Sequence, residues 1–164
     1  NVSMLVANIK TLYAQQNTYN GLENKTAISM GVVPDELGTN ATSGTLTNAF
    51  SGSVYIAASD STTDDDDKAF TIVFTKLSRE ACISLVTNDW GSGYSSGLIA
   101  IEATGADMST HGDLDAVKIG DAGTANKIAT PGGKTQPVPM AVTAAATACD
   151  CKSGNTCSIA WKYY

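Results

Sequence analysis

Apolar positions fall into a helical step at the very start of the chain. Val2, Leu5, Val6, Ile9, Leu12 and Tyr13 recur at i, i+3, i+4 and i+7 with no Gly or Pro between them, which predicts an amphipathic helix. The pattern is already in stride at Val2, so this segment reads as the C-terminal half of a longer helix. Asn17-Thr18-Tyr19-Asn20 and Gly21 end it. From there to Asp60 punctuation replaces periodicity, with Pro34-Asp35, Gly38 and Gly44 marking an irregular connection. A short helix is expected around Asn24 to Met30, and a strand from Ser53 to Ala58. Phe70-Thr71-Ile72-Val73-Phe74-Thr75, β-branched and aromatic, is the clearest strand.

Ser78 is placed to cap a second helix, with Glu80 in its first turn and Ala81, Cys82, Leu85 and Val86 on one face. Gly91, Gly93 and Gly97 then predict a loop, Leu98 to Glu102 a short strand, and the stretch to Pro139 has little pattern. Pro137 and Pro139 precede the alanine-rich Met140 to Ala148, a third helix. At the end, Ile159, Trp161 and Tyr163 alternate to one side, as in a half-buried strand. The expected fold is α+β: an N-terminal helix packed on an antiparallel sheet, with further helices and a disulfide-bounded C-terminal region, all in one domain over residues 1–164.

Composition narrows the functional classes. Of 164 residues 43% are hydrophobic and only 16% charged, so solubility leans on neutral polar side chains. A net charge of -6 disfavours nucleic acid and anionic membrane as partners. No run approaches the roughly 18 apolar residues of a membrane span. The four cysteines, an even count in a Ser/Thr/Gly-rich chain, point to disulfides and an oxidising compartment. Cys82 stands alone while Cys149, Cys151 and Cys157 crowd the end. One bridge must therefore run from Cys82 to that cluster, and the two cysteines left over can close only a small ring.

Candidate chemistry does not accumulate. Gly93-Tyr94-Ser95-Ser96-Gly97 spells a G-x-S-x-G nucleophile elbow, but an elbow needs a strand before it and a helix after, the reverse of this context. His111 is the single histidine, too isolated for a metal site and expected to be an exposed loop residue. Asp64-Asp65-Asp66-Asp67 lacks the alternating spacing and glycine of a calcium loop; it reads as a solvated turn protecting a sheet edge. With Lys68 it also spells an enteropeptidase sequence. Asn24-Lys25-Thr26 and Asn40-Ala41-Thr42 are glycosylation sequons. Pro131-Gly132-Gly133-Lys134 has neither Walker spacing nor a preceding strand. No catalytic residue, cofactor site or metal site is expected.

The order of elements, with five local patterns, resembles the type IV pilins, and most closely the type IVb class of the toxin-coregulated, bundle-forming and longus kind. The patterns are Ile9 to Tyr13; Tyr19-Asn20-Gly21-Leu22; Asn48-Ala49-Phe50-Ser51-Gly52; the strand Phe70 to Lys76 running into Cys82-Ile83-Ser84-Leu85-Val86-Thr87; and Thr147-Ala148-Cys149. The resemblance covers nearly the whole chain. It implies that Cys149 is the second delimiting cysteine; the extra pair Cys151 and Cys157, which the family does not generally have, leaves Cys149 and Cys151 both open as partner of Cys82, with Cys82–Cys149 and Cys151–Cys157 the preferred pairing. It also implies a head domain in which 1–20 is the C-terminal half of the N-terminal helix and 82–149 a disulfide-bounded surface region. The family's hydrophobic half-helix has no counterpart here, so its functional residues are not carried over, and a membrane contact would run only through that segment.

By the same resemblance the function expected is structural. The subunit would be anchored in the inner membrane with its head in the periplasm, then polymerise into an extracellular fibre for bacterial aggregation and host-cell adhesion. Its partners would be further copies of itself, minor pilins, the assembly machinery and a host-cell receptor. The alternatives are a minor pilin or secretion pseudopilin, and a secreted calcium- or carbohydrate-binding module.

Overall fold

A computed structural model describes residues 2–91, 96–121, 127–133, 135–152, 154 and 156–164. Its elements run α1 (Val2–Leu12), α2 (Asn24–Ser29), β1 (Gly38–Asn40), β2 (Thr45–Thr47), β3 (Ser53–Ser59), β4 (Ala69–Leu77), α3 (Arg79–Val86), β5 (Leu98–Thr104), β6 (Ile128–Ala129), α4 (Val142–Ala148) and β7 (Cys157–Tyr163). The strands form an antiparallel sheet in the order β1-β2-β3-β4-β7-β5-β6. The fold is α+β, as the alternation of patterns implied.

Register assigns the two faces different chemistry. Phe70 lies opposite Tyr163, Ile72 opposite Trp161 and Phe74 opposite Ile159. These side chains join one large core with Val2, Leu5, Val6 and Ile9 of α1, Cys82 and Val86 of α3, and Ala145 of α4. One residue along, Thr71 faces Lys162 and Val73 faces Ala160 on the other side. There a smaller core gathers Ala69, Val73, Ala100 and Ala160 under Met108, Leu114 and Val117. From the weakly patterned stretch after β5, Met108, Leu114 and Val117 thus cover the second face from outside any helix or strand.

Several expectations need correction. Leu12 leaves the α1 stripe and is 41% exposed, because the helix ends there. Tyr13 packs instead: its ring meets Tyr19 at 5.3 Å, and Tyr19 meets Phe70 at 4.8 Å. The final strand is not half-buried. β7 lies between β4 and β5, and every residue from Cys157 to Tyr163 is buried. β1, β2 and β6 arise where no strand was expected, since two- and three-residue strands carry too little alternation to read. The acidic turn does not guard an edge: β3 and β4 each have a strand on both sides.

Two polar side chains explain local motifs. Asn48 is buried in the turn between β2 and β3; its amide donates to the Thr75 carbonyl at 2.9 Å, and its oxygen accepts from Phe50 N and Gly52 N. Any side chain at Gly52 would overlap that same Thr75 carbonyl. The turn is therefore clamped to the irregularity in β4 between Phe74 and Leu77, and it presents Phe50 at its tip, 47% exposed. Asn24 does similar work at the start of α2. It donates to Val54 O at 2.8 Å and accepts from Ile56 N at 2.6 Å, so the amide of the first sequon is spent on β3.

Candidate assembly surface

Ser78 caps α3 by accepting from Ala81 N at 3.2 Å, which turns Cys82 inward. Cys149 ends α4. The structure joins these two cysteines, 67 residues apart, with Cα atoms 5.9 Å from each other. Cys151 joins Cys157 at the start of β7, a separation of 6 residues and 4.9 Å. The Sγ atoms of Cys82, Cys149 and Cys157 all lie within 4.8 Å of one another, and all three residues are buried. As disulfides they hold no thiolate with which to ligate a metal.

The segment between the long-bridge cysteines is pinned to the sheet by polar side chains that isolated reading of the motifs missed. Lys162, with no exposed surface, donates from Nζ to Leu114 O at 2.9 Å and Asp115 O at 3.1 Å. Burial lowers its pKa to about 8. Glu102, 1% exposed, accepts from Asp113 N at 2.8 Å and lies 3.4 Å from Lys127 Nζ. Burial, with Asp113's carboxyl beside it, raises its pKa to about 7 against the pull of Asp113 N–H and Lys127. Ser59 donates to Asp115 at 2.7 Å. His111 is half-buried rather than exposed, 2.9 Å from Thr71 Oγ1, and burial holds it below its ordinary pKa. The signal available in sequence was a charge set inside an apolar strand: Lys162 between Trp161 and Tyr163, Glu102 after Leu98 to Ile101.

The acidic turn is built around one side chain. Asp66 accepts from the N–H groups of Ser61, Thr62, Thr63 and Lys68 and from the hydroxyls of Ser61 and Thr62. Burial works against these donors, but together they hold the carboxyl far below its usual range. Asp60, Asp64, Asp65, Asp113 and Asp115 line a depression of about 600 Å³ with Lys118 among them, 3.3 Å from Asp64. The five carboxylates come from two segments, the turn between β3 and β4 and the loop after β5, and Lys118 offsets part of their charge. Of the elbow motif, 93–95 lie outside the described residues; α3 before it and β5 after it give a helix-then-strand context.

Apolar exposure gathers elsewhere. Met4 is 50% exposed on the outer side of α1, and Met30 is 49% exposed beside the end of that helix. A groove of about 430 Å³ lined by Leu12, Tyr13, Gln16, Thr18, Asn20 and Met30 lies at the end of α1. Among the described residues no helix is long and apolar enough to cross a membrane.

A helix lying on an antiparallel sheet, with a disulfide delimiting the C-terminal region, is the architecture of the type IV pilins, a class of structural subunits rather than enzymes. The chain aligns with a type IVb pilin from Salmonella typhi at TM-score 0.57 and 18% identity, covering 98% of this chain and 93% of that one. It aligns with TcpA, a type IV pilin from Vibrio cholerae El Tor biotype, at TM-score 0.57 and 16% identity, covering 99% and 94%. Its fold is that of the type IVb pilins. Residues 1–162 match the family model described as PilS N terminal, and the chain belongs to that family. No curated protein matches it in sequence.

Proposed function

We propose that this protein is the major subunit of a type IVb pilus, a homopolymer that extends outside the cell and serves aggregation and host-cell adhesion. The observation that carries the reading is the family match across residues 1–162, on a chain whose fold is that of the type IVb pilins. Before assembly the subunit would be anchored in the inner membrane with its head in the periplasm.

The chemistry is assembly, not turnover. α1 gives one side to the subunit's own core through Val2, Leu5, Val6 and Ile9, and leaves Met4 and Leu12 outward. That outer side, continued by Met30, supplies apolar area to a neighbouring copy. The segment between Cys82 and Cys149 forms the outward face of the fibre. A repeated head-to-tail contact of this kind does not close on itself, so it builds an open helical polymer. Minor pilins and the assembly machinery act on the subunit, and a host receptor meets the fibre's outer face.

Electron microscopy of the full-length protein expressed with its assembly genes, combined with immunogold labelling, tests this. Label along the whole length of long fibres is the expected result. Label confined to tips would make the protein a minor pilin and overturn the reading. Leu12→Glu together with Met30→Glu should abolish fibres while the isolated head keeps its circular dichroism spectrum, because both positions are exposed.

A further inference from the structure

The two disulfides are packed as one cluster. Cys82 comes from α3, Cys149 from the end of α4, and Cys157 from the first residue of β7. With the Cys157 sulfur within 4.8 Å of both sulfurs of the long bridge, the short bridge stands directly against it. Access differs between them. Cys82 and Cys149 have no exposed surface, whereas Cys151 is 5% exposed and flanked by exposed Lys152. The short bridge is thus the less deeply buried of the two.

We propose that Cys157 is an internal nucleophile for thiol–disulfide exchange with the Cys82–Cys149 bridge, and that Cys151 keeps it idle by holding it in a small ring. A dithiol reductant opens Cys151–Cys157: its own two thiols become a disulfide, and each cysteine takes a proton. Cys157 then loses that proton, and its thiolate attacks the sulfur of Cys149 or of Cys82. A new S–S bond forms as the old one breaks. The displaced cysteine leaves as a thiolate and takes up the proton Cys157 gave up. This second step consumes no oxidant, because thiols and disulfides are equal in number before and after. The result is a bridge moved to Cys149–Cys157, which frees α3, or to Cys82–Cys157, which keeps a long loop closed.

The Cys151→Ala variant isolates the step, since it leaves Cys157 as a thiol beside an intact long bridge. The purified variant is held without oxygen near pH 8.5, quenched with acid, alkylated, digested and mapped by mass spectrometry. The expected result is a population with Cys157 disulfide-bonded to Cys149 or Cys82 and alkylation on the cysteine it displaced. The population should form about tenfold faster per pH unit below the thiol pKa, as a thiolate reaction requires. A variant that stays folded, keeps only Cys82–Cys149 and is alkylated at Cys157 alone after days would overturn the proposal.

Should Cys151→Ala fail to fold, the wild-type protein is mapped during titration with substoichiometric dithiothreitol. The same exchanged bridges should then appear as the short bridge opens. Independent loss of the two bridges, with no exchanged species, would equally sink the idea.

Discussion

Glu102→Gln should remove a pH dependence built into the second face of the sheet. Glu102 sits on β5, 1% exposed, with Asp113 N–H on one oxygen and Lys127 near the other. Burial is the largest influence on it, and with Asp113 beside it the pKa rises from 4.5 to about 7. A carboxyl whose folded pKa lies above its unfolded value keeps a proton that the unfolded chain has lost. Its contribution to stability is therefore full below pH 4.5 and disappears as pH rises through about 7. At about 1.4 kcal/mol per pKa unit, that contribution amounts to about 3 kcal/mol. Glutamine keeps an oxygen for the Asp113 N–H and never ionises. The stability of the variant relative to wild type should thus climb by about 3 kcal/mol between pH 4.5 and about pH 8. Urea unfolding followed by circular dichroism, at constant ionic strength with disulfides intact, measures the difference at each pH. Two curves that run parallel to within about 0.5 kcal/mol would refute the assignment of that burial cost to Glu102.

Other expectations follow from the same geometry. Removing the long bridge with Cys82→Ala and Cys149→Ala should destabilise by about 4 kcal/mol on loop-closure entropy, against about 2 kcal/mol for Cys151→Ala with Cys157→Ala; denaturant midpoints compare them. Gly52→Ala should cost about 2–3 kcal/mol, because the new methyl group meets the Thr75 carbonyl and forces the turn off β4; thermal unfolding measures it. Asp66→Asn should destabilise by about 1–2 kcal/mol at neutral pH, since six donors lose a charged acceptor. Its sign with pH is opposite to that of Glu102. A depressed folded pKa gives stability that is present above the ordinary carboxylate range and lost on acidification, so wild type and Asp66→Asn should converge in acid.

Much of the helical face was legible in the chain. The α1 stripe, the cap at Ser78 and the aromatic run Phe70 to Phe74 are local signals: each depends on neighbours within a turn or on strict alternation. The same holds for the motif around Asn48, whose side chain makes the turn it marks. The second face could not be read this way. Lys162 and Glu102 look like misplaced charges until the loop carbonyls of Leu114 and Asp115, the Asp113 N–H and the Lys127 ammonium are brought to them from far along the chain. His111 was misjudged for the same reason, its partner Thr71 being 40 residues away.

What the chain by itself determined, then, is the set of elements whose cause is local: helix periodicity, capping, β-branched runs, and an even number of cysteines. What only the tertiary structure decided is position. It put β7 in the middle of the sheet and so buried both of its faces. It laid a loop over buried charges, and it brought Cys157 against the long bridge. Pairings across such sequence separations are selected by the shared burial of two cores, and no window of neighbouring residues carries that information.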